Sequence, residues 1–162
     1  FYSAAPYCKD PMRLTLHTDY ALRVLMYVGV KRDALSTIPE IVEHFDISRG
    51  HVMKVVHRLG QLGYLETLRG KGGGMRLARK PSQINVGAVV RDMEEELAVV
   101  GCLQGSNGYC CIEEYCVRRS ALRDATNAFP ASLDRYTLDD LTKPRRSLAK
   151  SLGIASSAAA RA

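Results

Sequence analysis

Five cysteines occur in the 162-residue chain, and four of them fall within a stretch of 15 residues in its second half. These four are Cys102, Cys110, Cys111 and Cys116, whereas Cys8 stands near the N-terminus. The first residues lack the basic and apolar stretches of an export signal, so disulfide cross-linking is a poor explanation for the group. The pattern favours metal binding or redox chemistry.

The spacing of these cysteines is wide and unequal. Seven residues separate Cys102 from Cys110, and five separate Cys110 from Cys116. Structural zinc sites typically use short Cys-x2-Cys turns, whereas long unequal loops suit an iron–sulfur cluster of several atoms. On spacing alone, a zinc site and free buried cysteines remain the alternatives.

Three thiolates leave one position of a four-ligand site open. All histidines lie before residue 58, so the second half offers no imidazole. The candidates are Cys111, Glu113 or Glu114 nearby, or a carboxylate from elsewhere in the chain. An oxygen ligand would leave one iron accessible to a small reactive molecule, whereas a site made only of thiolates would be more closed.

The two halves of the chain carry opposite charge, although the whole has a net charge of +6. Residues 12–80 hold 12 Lys and Arg against 6 Asp and Glu, and residues 81–143 hold 6 against 10. A basic half is suited to a polyanion such as nucleic acid. No apolar run approaches the roughly 18 residues of a membrane span, so we expect a cytoplasmic protein without membrane contact.

The basic half has the element order of a winged helix-turn-helix. Apolar periodicity predicts a helix over Leu16 to Val30, and Thr37 with Glu40 forms a capping box for a second helix. Ser48 caps a third helix that ends at Gly63. Two short alternating segments around a glycine-rich tip then predict a β-hairpin, the wing. The predicted fold class is mostly α with this small β-hairpin.

Polar and basic side chains follow the exposed side of the third helix and the tip of the hairpin. In a helix-turn-helix the second helix of the pair enters the major groove, and a basic wing contacts phosphates or the minor groove. The predicted partner is therefore double-stranded DNA. The residues predicted to contact it are Arg13, Ser48, Arg49, His51, Lys54, Arg58, Arg69 and Lys71.

Segment boundaries follow from composition. Residues 1–11 are predicted to be an extension outside the fold, and residues 12–80 the winged domain. Residues 81–143 are predicted to hold the cysteine loop and a dimerisation helix, and the Ser- and Ala-rich tail 144–162 to be disordered. No convincing set of nucleophile, base and acid is visible, so we do not expect an enzyme.

Many ordered motifs resemble the Rrf-type bacterial transcription regulators. Within that family the sequence is most similar to the nitric-oxide-sensing repressors. Besides the three cysteines, the motifs are Met12–Thr15, His17–Arg23, Thr37–Ile41, Ser48–Val56, Arg69–Gly74, Ala128–Phe129 and Leu133–Leu141.

The resemblance implies a homodimer with one iron–sulfur cluster per subunit, held by Cys102, Cys110 and Cys116. A [4Fe–4S] cluster is favoured and a [2Fe–2S] cluster is the alternative. The resemblance also implies that Asp19 of the partner subunit is the fourth ligand. From the residues alone, Asp19 is explained as a first-turn acid that pairs with Arg23.

The function implied is a repressor that releases an inverted-repeat operator when nitric oxide nitrosylates the cluster. Other members of the family sense cluster supply or redox state, and the cluster-supply subgroup uses a histidine beside the cysteines, which this chain lacks. A structural-zinc DNA-binding or interaction module is the alternative from another class. Cys111 in place of Cys110 is an alternative ligand.

Overall fold

The structure, a computed structural model, describes residues 14–95, 97–103, 110 and 112–154. Two antiparallel strands, β1 (Leu65–Leu68) and β2 (Gly74–Leu77), form the only sheet among these residues. The helices are α1 (Leu16–Val30), α2 (Ile38–Phe45), α3 (Arg49–Gln61), α4 (Val86–Met93), α5 (Val117–Leu133), α6 (Leu138–Leu141) and α7 (Arg145–Ser151).

Helix α1 is the centre of the core. The hydroxyl oxygen of Thr15 caps it by accepting a hydrogen bond from the backbone N–H of Thr18 at 3.3 Å. Its buried side chains include Val24, Leu25 and Tyr27. Because these occupy more than one face, α1 packs at once against α3, α4, α6 and β2.

Helices α2 and α3 form the helix-turn-helix pair. The carboxylate of Glu40 accepts a hydrogen bond from the backbone N–H of Thr37 at 2.7 Å, as the capping box predicts. Asp46 takes a left-handed conformation (φ 51°), which turns the chain between the helices. Ser48 then caps α3, which buries one side against α1 and α2.

The wing is a hairpin in which Leu65 pairs with Leu77 and Leu68 pairs with Gly74. Its tip requires glycine for two reasons. Gly72 has a φ of +80°, and a Cβ at Gly73 would lie 2.3 Å from the carbonyl oxygen of Leu68. This hairpin after three helices confirms the predicted winged fold.

Helix α4 connects the winged domain to α5, the longest helix among the described residues. A Cβ at Gly87 would lie 2.6 Å from the carbonyl oxygen of Pro130, so the missing side chain lets the two helices approach closely. Arg91 and Asp134 form an ion pair of 2.6 Å beside this contact. α5 continues through Pro130, although a proline in a helix interior usually kinks or ends the helix.

The C-terminal segment differs from the predicted disordered tail. Residues 145–151 form α7, and Leu152 and Ile154 pack against the core. Arg145 fixes the start of this helix by donating to the carbonyl oxygen of Val30 and to the carboxylate of Asp33, both at 2.9 Å. Residues 144–154 therefore differ from the predicted disorder, because Arg145 contacts the end of α1 and Leu152 and Ile154 contact the core.

The part of the chain that the structure describes contains no helix with both the length and the apolar character needed to cross a bilayer.

Candidate nucleic-acid interface and metal centre

The outer face of α3 carries the side chains predicted to contact DNA. Val52, Val55 and Leu59 are buried on the inner face. On the outer face every predicted contact residue is exposed, and the set comprises Ser48, Arg49, His51, Lys54 and Arg58. The helix thus presents a basic surface with the dimensions to enter a major groove.

The N-terminal end of this face is organised by Ser48. Its hydroxyl oxygen accepts a hydrogen bond from the backbone N–H of His51 at 3.4 Å and lies 2.9 Å from Nδ1 of the same residue. The His51 ring also lies 5.9 Å from the ring of Tyr20. These contacts hold the imidazole at the start of α3, where free N–H groups favour a phosphate.

Arg69 and Lys71 lie at the tip of the wing, and both are exposed. Behind them, Arg76 and Glu66 form an ion pair of 2.9 Å across the two strands. The wing therefore offers two cations next to glycines that permit close approach to another surface. Arg13 lies outside the described residues.

The C-terminal end of α3 is joined to α4. Arg58 donates a hydrogen bond to the carbonyl oxygen of Asp92 at 3.3 Å, so this predicted DNA contact also binds its own chain. The Tyr64 hydroxyl donates to the Asp92 carboxylate at 2.5 Å. Burial, together with this hydrogen bond, raises the pKa of Tyr64 to about 12, so the hydroxyl remains a donor at neutral pH. The guanidinium of Arg79 covers the Tyr64 ring at 5.1 Å.

A similar connection involves Glu94, the residue after α4. Its Oε1 accepts hydrogen bonds from the backbone N–H of Thr15 at 2.8 Å and from the Thr15 hydroxyl at 3.1 Å. Sequence reasoning missed the roles of Tyr64, Asp92 and Glu94. Their partners are 28 and 79 residues away, and helical or strand periodicity carries no signal over that distance.

The three predicted cluster ligands are free thiols, and each is half-buried. Cys102 lies in a single 3-10 turn, and Cys116 immediately precedes α5. The structure does not gather three His, Cys, Asp or Glu side chains at any one metal-sized position among its described residues. Cys111 and Cys8 lie outside those residues.

Thiolates are the ligands that iron–sulfur clusters use, and three free thiols in the sequence between α4 and α5 fit such a group in kind. Glu113, a candidate fourth ligand, is instead paired with Arg119 at 2.5 Å. Glu114 is exposed.

Asp19 lies in the first turn of α1 and pairs with Arg23 at 2.9 Å. This is the intrahelical pair that the residues alone predict. The two side chains are 42% and 46% exposed, so the carboxylate is open to solvent on this face of α1.

Helix α5 carries an apolar stripe that its own chain covers only in part. Leu122 and Leu133 are half-buried, whereas Ala125 is exposed and Phe129 is 44% exposed. Val117 and Tyr115 at the start of the helix are also exposed. This surface is more apolar than a solvated helix face requires.

Comparisons with known proteins give the same fold and a family. The sequence profile of the Rrf2 family, described as iron-dependent transcriptional regulator, matches residues 14–144. The chain is 46% identical over 142 residues to the HTH-type transcriptional regulator NsrR of Bacillus subtilis (strain 168), covering 87% of this chain and 97% of that protein. It is also 46% identical over 138 residues to NsrR of Geobacillus kaustophilus (strain HTA426), covering 85% and 94%.

Two solved structures share the fold. The global cysteine regulator CymR of B. subtilis gives a TM-score of 0.66 at 21% identity and covers 81% of this chain and 96% of that one. The IscR protein of T. potens gives a TM-score of 0.66 at 21% identity, with 84% and 90% covered. These findings confirm the predicted resemblance. The matched family consists of transcriptional regulators and not of enzymes, as the sequence predicts. This chain belongs to the Rrf2 family of transcriptional regulators.

Proposed function

We propose that the protein is an iron–sulfur repressor of the NsrR type that binds an inverted-repeat operator as a homodimer and releases it in response to nitric oxide. The observation that carries the proposal is the set of three free, half-buried thiols, Cys102, Cys110 and Cys116, in the segment that follows the winged domain. The similarity to NsrR proteins over most of the chain supports the same signal.

The proposed ligands are the three cysteines and, from the partner subunit, the residue equivalent to Asp19. When bound, the cluster supplies iron to which nitric oxide binds, and we favour the [4Fe–4S] form. The chain's own part is to hold the thiols between α4 and α5. Loss of the cluster would release Cys102, Cys110 and Cys116, and loss of the Asp19 contact would release the first turn of α1.

One feature of α5 supports the homodimer. Its apolar stripe, which includes Ala125 and Phe129, is exposed in the single chain. A second copy would cover it, and a two-fold dimer would place two α3 helices at half-sites about one DNA turn apart. We propose that this stripe is the subunit contact.

The decisive experiment is anaerobic purification, followed by an absorbance spectrum and by iron and sulfide analysis. Operator duplexes selected from a random-sequence library with the loaded protein then serve as the DNA probe. We expect a coloured protein whose operator affinity falls at least tenfold on stoichiometric addition of nitric oxide, at fixed salt. Unchanged affinity after verified nitrosylation contradicts the proposal.

Parallel titrations with oxygen and hydrogen peroxide separate this function from sensing of redox state. Reconstitution of the cluster-free protein with iron and sulfide tests sensing of cluster supply. A colourless, zinc-containing protein that still binds its operator would identify the structural-zinc module instead.

A further inference from the structure

The end of α4, residues 92–94, leads directly into the segment that carries the cysteines. Its two carboxylates contact the winged domain at two separate places. Asp92 accepts from the Tyr64 hydroxyl at 2.5 Å, and its carbonyl oxygen accepts from Arg58 at 3.3 Å. Glu94 accepts from the backbone N–H and the hydroxyl of Thr15 at 2.8 and 3.1 Å.

Both contacts lie at the ends of elements that matter for DNA binding. Arg58 is in the last turn of α3, and Tyr64 lies between α3 and the first strand of the wing. Thr15 caps α1, the helix that carries Asp19 one turn further on. Residues 92–94 therefore touch the recognition helix, the base of the wing and the start of α1 together.

These polar contacts are separate from the apolar anchor of α4. Val89, Val90 and Met93 are buried in the core, whereas Asp92 is exposed and Glu94 is half-buried. The carboxylate contacts can thus break while α4 stays in place. Breaking them would release the end of α3 and the cap of α1 without unfolding the domain.

The end of α4 is also the point at which a change in the following segment acts first. The last helical hydrogen bond of α4 runs from the Glu94 N–H to the Val90 carbonyl oxygen at 2.9 Å, and Glu94 itself has extended dihedral angles. Terminal turns open more readily than helix interiors. A moving cysteine segment would therefore displace Glu94 before any buried residue of α4.

We propose that Asp92 and Glu94 are positioning residues that transmit the state of the cysteine segment to α3 and α1. With the segment held, their carboxylates fix Tyr64 and Thr15, and the Asp92 carbonyl oxygen holds Arg58, in the arrangement that binds DNA. With the segment released, these contacts open and operator affinity falls. The inference rests on the proposed function and names the residues through which it acts.

Matched substitutions test the acceptor role of each carboxylate. Asp92→Asn and Glu94→Gln keep a carbonyl oxygen that accepts the same hydrogen bonds, whereas Asp92→Ala and Glu94→Ala remove it. In cluster-loaded protein, we expect the alanine variants to bind the selected operator about as weakly as wild-type protein without its cluster. The amide variants should stay within about threefold of loaded wild type.

A second measurement does not depend on DNA binding. In hydrogen–deuterium exchange, loss of the cluster from wild type should accelerate exchange at the start of α1 and between Arg58 and Tyr64. The alanine variants should show this faster exchange in both states. Glu66→Ala is the control, because it breaks an exposed ion pair in the wing without touching α4.

Alanine variants that retain the full wild-type difference between loaded and cluster-free protein, in both affinity and exchange, would overturn the proposal. Should they fail to fold, Tyr64→Phe replaces Asp92→Ala, since it removes only the hydroxyl and is expected to loosen the end of α3. A wild type with equal operator affinity in both states refutes the proposed function, and the transmission role with it. If the wild type and the alanine variants both lose operator affinity to the same extent when the cluster is lost, only the transmission role is refuted.

Discussion

Asp19 and Arg23 form an ion pair along one turn of α1, with 2.9 Å between Oδ2 and Nε. Both side chains are more than 40% exposed, so solvent screens the pair, and it contributes no more than about 1 kcal/mol to stability. The carboxylate can therefore exchange Arg23 for another partner at little cost to the fold. This weak pair is compatible with the proposed role of Asp19 as a ligand to the neighbouring subunit's cluster.

Substitution of Asp19 separates the two roles. Asp19→Ala and Arg23→Ala remove the same ion pair, but only the first removes the carboxylate. We expect Asp19→Ala to change the visible absorbance of the loaded protein and to speed loss of iron to a chelator, whereas Arg23→Ala leaves both within about twofold of wild type. Equal absorbance and equal rates of iron loss in the two variants would show that Asp19 serves only as the intrahelical partner of Arg23.

Substitution of single cysteines identifies the thiolate set. Cys110→Ser should lower bound iron and sulfide to a small fraction of wild type, because serine is a poor ligand for iron–sulfur clusters. Cys111→Ser should keep the wild-type content under the same anaerobic conditions. The reverse result would identify Cys102, Cys111 and Cys116 as the ligands. Iron and sulfide analysis per monomer is the measurement.

Lys54 lies on the exposed face of α3, so its removal should weaken DNA binding directly. We expect Lys54→Ala to lower operator affinity about tenfold and, if the contact is to a phosphate, to reduce the slope of log K against log salt by about 1. Lys143→Ala removes the same charge from a residue that pairs with Asp140 after α6. A comparable loss in that control would assign the effect to net charge alone.

The capping box of α2 predicts a pH-dependent contribution to stability. Burial works to raise the pKa of Glu40, but hydrogen bonds from Lys31 and from Thr37 outweigh it and lower that pKa below its ordinary value. The stabilising effect is therefore present above the ordinary pKa and is lost as the pH falls through the lowered folded-state value.

Urea unfolding of Glu40→Gln tests this prediction. At pH 7 we expect a loss of roughly 1 kcal/mol, since glutamine keeps the cap acceptor but not the charge. The difference from wild type should shrink as the pH is lowered into the range where Glu40 is protonated. Glu43→Gln, on the same helix, is the control. A difference for Glu40→Gln that is independent of pH would exclude the charge as its cause.

A charge in the apolar stripe of α5 should disrupt the dimer. Phe129→Glu is expected to shift the protein towards monomer in analytical ultracentrifugation at micromolar concentration, because the carboxylate would be buried at the contact. Ser120→Glu places the same charge nine residues earlier, about two and a half turns away and on the opposite side of α5, and should leave the dimer intact. If both variants remain dimeric, the subunit contact does not include Phe129.

Local signals predicted the winged half well. The Thr37–Glu40 box, the Ser48 cap and the glycine-rich tip each depend on residues within a few positions of one another, and the structure has all three features. The interactions behind these features join residues that are close in the sequence, so the sequence alone predicts them. The family resemblance then extended these local predictions to most of the chain.

Contacts between residues that are far apart in the sequence could not be predicted from local patterns. The hydrogen bond from Thr15 to Glu94 and the seating of α7 by Arg145 depend on how α1 lies against the rest of the fold. Composition predicts a disordered tail, yet Leu152 and Ile154 pack against the core. The cysteine roles and Asp19 stay predictions, because the ligand set needs a cluster and a second subunit.

The close approach at Gly87 sets the direction in which α5 leaves the winged domain. In the proposed dimer, that direction would determine the distance between the two winged domains, because each is connected to one of the paired α5 helices. A methyl group added at Gly87 would push α4 and α5 apart and so change the distance between the two winged domains. If the proposed dimer forms, the absence of one side chain on α4 would thus influence the operator length that the protein prefers, at a position far from the DNA.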